Sequence, residues 1–175
     1  MSQEHQHQSG DQANMENQVF QTIIDSLLAC SITYELLEHE PVYTMEQARE
    51  VCGNLPEQGV KVLFVRLYKS KKDFSYCLIV WTGNKKVDFK QIANSLGVKK
   101  IKLASPEEVR LNLGVEIGAL SPFGYGNNYP IIFDSALLKQ SELFINPGVH
   151  NKTIKLNPQD LRVAVKQSAS SLHSL

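Results

Sequence analysis

Two long apolar runs constrain the fold of this chain more than any other feature of its sequence. Residues 59–68 read GVKVLFVRLY and residues 74–82 read FSYCLIVWT, with a lysine-rich turn between them. Both runs are rich in β-branched and aromatic residues, and apolar residues occupy both alternating faces, which is typical of strands buried on both sides. The short connection predicts an antiparallel hairpin at the centre of a sheet.

Helix start signals alternate with shorter strand patterns through the rest of the chain. Thr44 with Gln47, and Ser105 with Glu108, form candidate capping boxes, and Asp88 is a candidate helix cap. Further strands are predicted at residues 32–38, 99–104, 131–134, 142–145 and 153–156, and a last helix at residues 158–167. This alternation predicts an α+β fold, a single compact domain whose mixed, mostly antiparallel, barrel-like sheet is surrounded by short helices.

The composition of the two ends predicts the limits of this domain. Residues 1–16 are rich in Gln, His, Asn and Ser and are expected to be a disordered tail. Residues 17–167 are expected to form the folded domain, which begins with an apolar stripe at helical spacing. The Ser-rich residues 168–175 are expected to be a frayed tail.

Charge and cysteine content narrow the functional classes. Eighteen basic and eighteen acidic residues cancel, so no overall field favours nucleic acid or membrane. Two lysine clusters, at residues 69–72 and 99–102, either contact phosphates or form ordinary solvated strand edges. Three cysteines without a C-x-x-C pair argue against a disulfide framework or a zinc site. With no signal peptide or membrane-spanning run in the sequence, a cytoplasmic protein without a membrane partner is predicted.

Residues 114–126, GVEIGALSPFGYG, are expected to form a loop, because their glycines and proline do not suit a regular helix or strand. The apolar residues Val115, Ile117 and Leu120 indicate that this loop is half-buried. A half-buried loop with free amides suits a small polar ligand or a developing oxyanion. The same pattern also fits a purely structural turn.

Four polar side chains are candidates for chemistry, and each has a structural alternative. Lys61 lies in a strand with apolar residues on both faces, so its ammonium either points into a cleft or reaches water from the first turn. His150 suits proton transfer near neutral pH but also fits a bystander in a loop. Asp134 either orients a partner or caps the turn that follows it. Ser121 precedes a proline and lacks the G-x-S-x-G elbow, so we do not take it as a nucleophile.

Five stretches of the chain, in one order, resemble the prolyl-tRNA synthetase-associated (YbaK) editing family of aminoacyl-tRNA deacylases. They are GVKVLFVRL, VDFKQIANSLGVKKIKLASPEEV, GVEIGALSPFG, PIIFDSALL and LFINPGVHNKTIKL, and the likeness spans residues 32–165. The resemblance implies an enzyme that acts in trans, without a metal or cofactor. It would hydrolyse the ester between a wrong amino acid and the terminal adenosine of tRNA, with Ala, Cys or Ser on tRNA for proline as expected substrates.

The resemblance also implies roles for individual residues. Lys61 matches the family's strand lysine, which contacts the terminal nucleotide or the aminoacyl group, and residues 118–122 match its G-x-x-x-P loop, which lines the aminoacyl pocket. The expected catalytic residues are Lys61, Gly118 and Ser121, and the expected substrate-binding residues are Ala119, Leu120, Pro122, Phe123, Asp134, Gly148 and His150. A lysine and loop amides of this kind can position a water and stabilise an oxyanion without a protein nucleophile.

One turn departs from the family pattern. It reads Asn146-Pro147-Gly148-Val149-His150, whereas members close to the alanyl-prolyl deacylases carry His-Pro-Leu followed by Asn. This exchange leaves open the role of His150 and the amino acid removed. The alternative function is a non-catalytic module that binds tRNA 3′ ends, aminoacyl groups or nucleotides. The expected partners are aminoacyl-tRNA, bound at its 3′-terminal adenosine, and a synthetase that supplies the tRNA affinity which a neutral chain lacks.

Overall fold

The computed structural model describes residues 3–126 and 129–175, with side chains from residue 14 onward. Its helices are α1 Gln3–Ala29, α2 Met45–Cys52, α3 Phe89–Ser95, α4 Pro106–Leu113 and α5 Pro158–Ser168, with a 3-10 helix at Ser135–Lys139. Its strands are β1 Tyr34–Glu38, β2 Val60–Tyr68, β3 Phe74–Thr82, β4 Lys100–Leu103, β5 Pro130–Phe133, β6 Leu143–Ile145, β7 Lys152–Leu156 and β8 Ser171–Ser174. The predicted α+β class is confirmed.

The predicted hairpin, β2 with β3, is the centre of a five-stranded sheet of order β4-β2-β3-β5-β8. β2 is antiparallel to β3 and β4, whereas β5 is parallel to β3 and β8 is parallel to β5, so the sheet is mixed as expected. Along β2, Val60 and Phe64 belong to one buried cluster and Val65 and Leu67 to another. Both faces of the hairpin are therefore buried, which explains its continuous apolar sequence.

A second, antiparallel sheet has the order β1-β7-β6. It meets the larger sheet at one isolated parallel bridge, between Gly59 and Phe144. The strands are thus divided between two sheets, and the predicted barrel-like closure is not confirmed. Because of this division, one edge of β2 faces a gap between β4 and β6.

The predicted helix caps are confirmed. Thr44 accepts from the backbone N–H of Gln47, Ser105 accepts from that of Glu108, and both capping boxes are complete. Asp88 caps α3 through its carboxylate. These local interactions fix where α2, α3 and α4 begin, so the sequence locates these helices without knowledge of tertiary packing.

The two ends of the chain differ from expectation in their secondary structure. Helix α1 already begins at Gln3 and continues past residue 17, and its Ile23 and Leu27 are fully buried in the core. The first two residues of the expected tail lie outside the described residues. At the other end, β8 pairs with β5, and Leu175 N–H donates to Phe133 C=O at 3.0 Å. Main-chain pairing along an open strand edge needs no apolar pattern, so composition alone did not reveal β8.

Within residues 3–126 and 129–175, none of the helices combines the length and the apolar character that crossing a membrane requires.

Candidate functional site

A cavity of about 390 Å³ opens beside β2, where the two sheets separate. Its walls are mostly apolar, and its volume lies in the range of small-ligand pockets. Most of the lining comes from residues 42–54, which include α2, from residues 59–64 at the start of β2, and from residues 103–104, 117, 118, 120 and 144–146. The site is therefore assembled from segments that are far apart in the sequence.

The main chain of Val60 and Val62 points into this cavity. Across the hairpin, Gly83 N–H donates to Gly59 C=O at 2.8 Å. Hydrogen bonding alternates along antiparallel strands, so every second residue of β2, counted from Gly59, bonds to β3. Val60 and Val62 therefore direct their N–H and C=O groups to the other edge, and both residues line the cavity.

The neighbouring strands stop short of this edge. On one side the last hydrogen bond is made by Phe64 C=O, which accepts at 2.9 Å from the residue after β4. On the other side Gln58 C=O accepts at 2.9 Å from the second residue of β6. The parallel bridge between Gly59 and Phe144 engages the N–H of Val60. Among the described residues, no hydrogen-bond partner reaches the C=O of Val60 or the N–H and C=O of Val62. One donor and two acceptors are thus available to a ligand.

Lys61 lines the same cavity. Its Nζ donates to the backbone carbonyl of Lys85 at 3.0 Å, in the turn after β3, and this hydrogen bond is exposed to solvent. The ammonium therefore reaches water, which is one of the two alternatives proposed from the sequence. Lys61 nevertheless forms part of the cavity wall. A carbonyl that fixes one N–H leaves two further donors on the ammonium.

Three chain segments meet at Gly118. Its φ is +95°, and an added Cβ would lie 3.2 Å from Tyr43 C=O and 3.3 Å from Cε1 of His150. Asn146 Nδ2 donates to Gly118 C=O at 3.3 Å, and its Oδ1 accepts from Gly148 N–H at 2.8 Å. The Asn146 amide thus joins the glycine loop to the turn at residues 146–150. A side chain at position 118 has no room without displacing one of these segments.

Only part of the glycine loop offers free amides. Ala119 N–H donates within the loop at 3.1 Å, and Ser121 N–H donates to the Tyr125 hydroxyl at 2.8 Å. Burial raises the pKa of Tyr125, which keeps this hydroxyl neutral. Gly118 and Leu120 line the cavity, and within the described ranges their amides have no hydrogen-bond partner. The expectation of free amides throughout residues 118–121 is corrected to these two positions.

The remaining predicted loop residues pack inward. Ala119, Ser121 and Phe123 are fully buried, and Pro122 is also buried. None of the four is part of the cavity lining. Their burial anchors the loop in the core. A direct contact of Ser121 with a ligand stays a prediction.

Asp134 lies outside the cavity lining and stabilises local structure. Its carboxylate accepts from the Thr82 hydroxyl at 2.6 Å and from Ala136 N–H at 2.9 Å, capping the 3-10 helix. Lys85 Nζ lies 3.7 Å from the same carboxylate. Since the carbonyl of Lys85 holds Lys61, Asp134 is connected to the site only through this turn.

His150 and Gly148 lie behind the cavity wall rather than on it. His150 Nδ1 lies 2.9 Å from Val42 C=O, which can only accept, so Nδ1 carries the proton. Its Nε2 is buried and has no hydrogen-bond partner in the described part of the chain. Gly148 faces α1, where an added Cβ would lie 2.9 Å from Val19. The exchange noted in the sequence therefore brings the amide of Asn146, and not the His150 imidazole, to the cavity.

Sequence reasoning missed several lining residues. Arg49, Cys52 and Asn54 reach the cavity from α2 and the turn after it, and Asn146 reaches it from the opposite side. Asn146 stood in a turn that had already been singled out, so its amide could have been proposed. Arg49 and Asn54 carry no local signal, because only tertiary packing brings them to the same cavity as Lys61.

Comparisons with known proteins show which family this chain resembles. Residues 39–164 match the family model of the aminoacyl-tRNA editing domain, and every lining residue falls inside that range. The prolyl-tRNA editing protein ProX of Acetoanaerobium sticklandii is 29% identical over 165 residues, covering 92% of this chain and 99% of that protein. The multifunctional Ser/Thr-tRNA deacylase ProXp-y of Escherichia coli K12 is 29% identical over 133 residues, covering 75% and 79%.

Two further comparisons extend the likeness. A proline–tRNA ligase of Kosmotoga olearia is 32% identical over 142 residues, which are 75% of this chain but 24% of the ligase. A solved structure described as a candidate trans-editing enzyme for prolyl tRNA synthetase superposes with a TM-score of 0.73 at 21% identity, covering 90% of this chain and 95% of that one. At this identity the structural likeness establishes the fold alone.

Proposed function

Because the chain belongs to the aminoacyl-tRNA editing domain family, we propose that it is a trans-acting deacylase that hydrolyses the ester of mischarged aminoacyl-tRNA. The observation that carries this proposal is that the cavity, with its unpaired main-chain groups and Lys61, lies entirely within the family-matched residues. Relatives named as a prolyl-tRNA editing protein and a Ser/Thr-tRNA deacylase support an ester hydrolase of this class.

The proposed substrate is tRNA for proline that carries a small wrong amino acid such as alanine, cysteine or serine. The relatives named for prolyl-tRNA editing and for proline–tRNA ligation support this choice of tRNA. The apolar cavity walls, which include Leu120 and Phe144, support selection by size. A pocket of this kind excludes a larger side chain by steric conflict.

In the proposed complex, the ester carbonyl lies between Lys61 and the glycine loop. The ammonium of Lys61 and the free amides of Gly118 and Leu120 would donate hydrogen bonds to the oxyanion as it forms. The C=O groups of Val60 and Val62 would accept from the α-ammonium group of the substrate. These donors and acceptors belong to a strand and a braced loop, so little reorganisation is needed during the reaction.

The proposed reaction is a direct attack by water. The water oxygen adds to the carbonyl carbon, the ester C–O bond to the ribose breaks, and the proton lost by water is carried to the departing ribose oxygen. The neighbouring ribose hydroxyl of the substrate is the proposed carrier. The products are a free amino acid and tRNA with an intact 3′ end. Within the described residues, no cluster of three His, Cys, Asp or Glu side chains could hold a metal ion, and a metal-independent route remains part of the proposal.

The terminal adenosine is proposed to enter the cavity beside α2. Arg49, which is exposed and lines this side, is a suitable hydrogen-bond donor to the adenosine. A chain with no net charge supports the proposal that a synthetase partner contributes tRNA affinity. The substrate itself supports a cytoplasmic location, where charged tRNA is used.

The proposal is tested by incubating the protein with alanyl-, cysteinyl-, seryl- and correctly charged prolyl-tRNA for proline, and measuring released amino acid. We expect release from at least one mischarged tRNA and none above background from prolyl-tRNA. Thermal stabilisation by these tRNAs without any release would refute catalysis and favour the binding module. The panel includes seryl-tRNA because one relative is named for that activity.

A further inference from the structure

A cluster of aromatic and basic side chains covers one face of the larger sheet, beyond the core and outside the cavity. We call it the basic–aromatic face, and its members are Arg66, Tyr68, Phe74, Tyr76, Lys100 and Lys102. In β2–β3 pairing, Tyr68 lies opposite Phe74 and Arg66 opposite Tyr76. In β2–β4 pairing, Tyr68 lies opposite Lys100 and Arg66 opposite Lys102. Directly opposed residues project from the same face, so the six form two parallel rows.

The aromatic rings of this face form a connected and accessible surface. The ring centroids of Tyr68 and Phe74 are 5.3 Å apart, and those of Phe74 and Tyr76 are 5.5 Å apart. The guanidinium of Arg66 lies 5.9 Å from the Tyr68 ring and 5.7 Å from the Phe74 ring. Phe74 is 39% exposed, which is unusual for a phenylalanine in the central hairpin of a sheet. Exposed rings beside cations are the elements that stack and neutralise unpaired nucleotides.

The charge around this face is strongly one-sided. Residues 66–76 and 98–103 contain seven basic residues and one acidic residue, Asp73, in a chain whose total charge is zero. The neighbouring acidic residue on α4, Glu108, accepts from the Tyr76 hydroxyl at 2.6 Å and lies 3.7 Å from Arg66. Lys100 and Lys102 are exposed, and no ion pair involves them in the described part of the chain. The local field therefore favours a polyanion.

The face continues directly from the proposed active site. Phe64 and Leu103 line the cavity, and Arg66 Nη2 donates to Leu103 C=O at 3.4 Å. The Phe64 ring stacks on Tyr76 with centroids 4.8 Å apart. Tyr68 lies four residue steps after Phe64 along β2, which is about 13 Å in a strand. A strand of nucleotides leaving the cavity along β2 and β4 would cross this face.

We propose that the basic–aromatic face binds the unpaired nucleotides that precede the terminal adenosine of the tRNA substrate. Tyr68 and Phe74 provide rings for base stacking, and Lys100 and Lys102 contact phosphates. This inference rests on the proposed function only in placing the terminal adenosine in the cavity. It also assigns tRNA affinity to one region of a chain without net charge, the basic–aromatic face. Of the two lysine clusters in the sequence, it assigns the one at residues 99–102 to RNA contact.

Binding of uncharged tRNA, measured by fluorescence anisotropy, tests this inference even if no ester is hydrolysed. Phe74→Ala and the double variant Lys100→Glu/Lys102→Glu should each weaken binding about tenfold or more. The double variant should also reduce the slope of log affinity against log salt by about 0.7 for each phosphate that is no longer neutralised. Lys139→Glu/Lys166→Glu, a charge-matched control at exposed lysines of the 3-10 helix and α5, should bind as the wild type does.

A truncated tRNA that lacks its unpaired 3′ nucleotides identifies the part of the RNA that is bound. Phe74→Ala should have no further effect on the affinity for this tRNA. With aminoacyl-adenosine, the face variants should retain wild-type kcat/KM, whereas KM for aminoacyl-tRNA should rise. Equal affinities of all variants for intact tRNA would overturn the inference. So would a Phe74→Ala effect that persists on the truncated tRNA, or impaired binding to a synthetase with unchanged RNA affinity. If wild-type protein hydrolyses neither substrate, the proposed function fails, and anisotropy still decides the inference.

Discussion

Replacing Gly118 with alanine tests whether the glycine loop is held in one functional position. The φ of +95° at Gly118 is unfavourable for alanine, and the added methyl carbon would lie 3.2 Å from Tyr43 C=O and 3.3 Å from Cε1 of His150. Positions in this region of backbone space cost non-glycine residues about 1–3 kcal/mol. Both neighbours must also move by a few tenths of an ångström. We therefore expect Gly118→Ala to lower the free energy of unfolding by about 1–3 kcal/mol.

The same substitution should change catalysis beyond its effect on stability. Moving the loop away from Tyr43 displaces the amides of Gly118 and Leu120 from Lys61 across the cavity. A displacement of about 1 Å can cost about a hundredfold in rate, so a smaller shift should lower kcat/KM about tenfold. The assay is deacylation of a mischarged tRNA at a temperature where urea unfolding shows the variant to be fully folded.

Gly97→Ala is the matched control. Gly97 also has a positive φ, +65°, but an added Cβ there would meet no atom within 4 Å. It should therefore lose about 1–2 kcal/mol of stability from backbone strain alone and keep its kcat/KM. If Gly118→Ala kept the wild-type kcat/KM, or if both variants lost activity equally, the proposed role of the glycine loop would be refuted.

Individual contacts of three other residues lead to further predictions. Asn146→Ala removes one hydrogen bond to the glycine loop and one within its own turn, and it should cost about 1–3 kcal/mol in urea unfolding and lower kcat/KM. An unchanged kcat/KM would show that this bracing is not needed. Burial raises the pKa of Cys77 to about 12, so a thiol-reactive dye should label Cys52 in the native protein but Cys77 only after unfolding; equal labelling rates would contradict this. Hydrogen bonds from Ser105 N–H and a neighbouring tyrosine lower the pKa of Glu108. The stabilisation by the Glu108 carboxylate is therefore fully present above the ordinary carboxyl pKa of about 4.3, and it is lost as the pH falls through the lowered folded-state pKa. Glu108→Ala should therefore cost about 1–2 kcal/mol at neutral pH and progressively less in acid, as urea unfolding across that range would show; a cost that does not fall would contradict it.

The sequence predicted most of the regular elements because their signals are local. The capping residues Thr44 and Ser105 define the first turns of α2 and α4, and the apolar runs identify β2 and β3. β8 has no such signal, since its pairing with β5 uses the main chain. The division into two sheets depends on long-range strand pairing, which local sequence patterns do not reveal. A single barrel-like sheet was therefore expected.

Three of the predicted site residues, Lys61, Gly118 and Leu120, line the cavity. A lysine within an apolar strand and a glycine in an apolar loop can be picked out from the sequence, and the roles of these residues stay predictions. Ser121 was grouped with Gly118 by its position in the loop, yet it is fully buried outside the lining. The partly unpaired edge at Val60 and Val62 has no signature in the residue types, because it results from where β4 and β6 end.

The most direct test of the proposed editing site is the rate at which Lys61→Ala deacylates the mischarged tRNA that the wild-type protein prefers. Removing one preformed oxyanion donor typically lowers kcat by about a hundredfold to a thousandfold, and we predict a loss of that size with an unchanged free energy of unfolding. Lys86→Ala, which removes an exposed lysine in the nearby turn, should retain full activity. A Lys61→Ala variant with wild-type kcat, or a wild-type protein that releases no amino acid from any mischarged tRNA, would contradict the proposal that this cavity is an editing site.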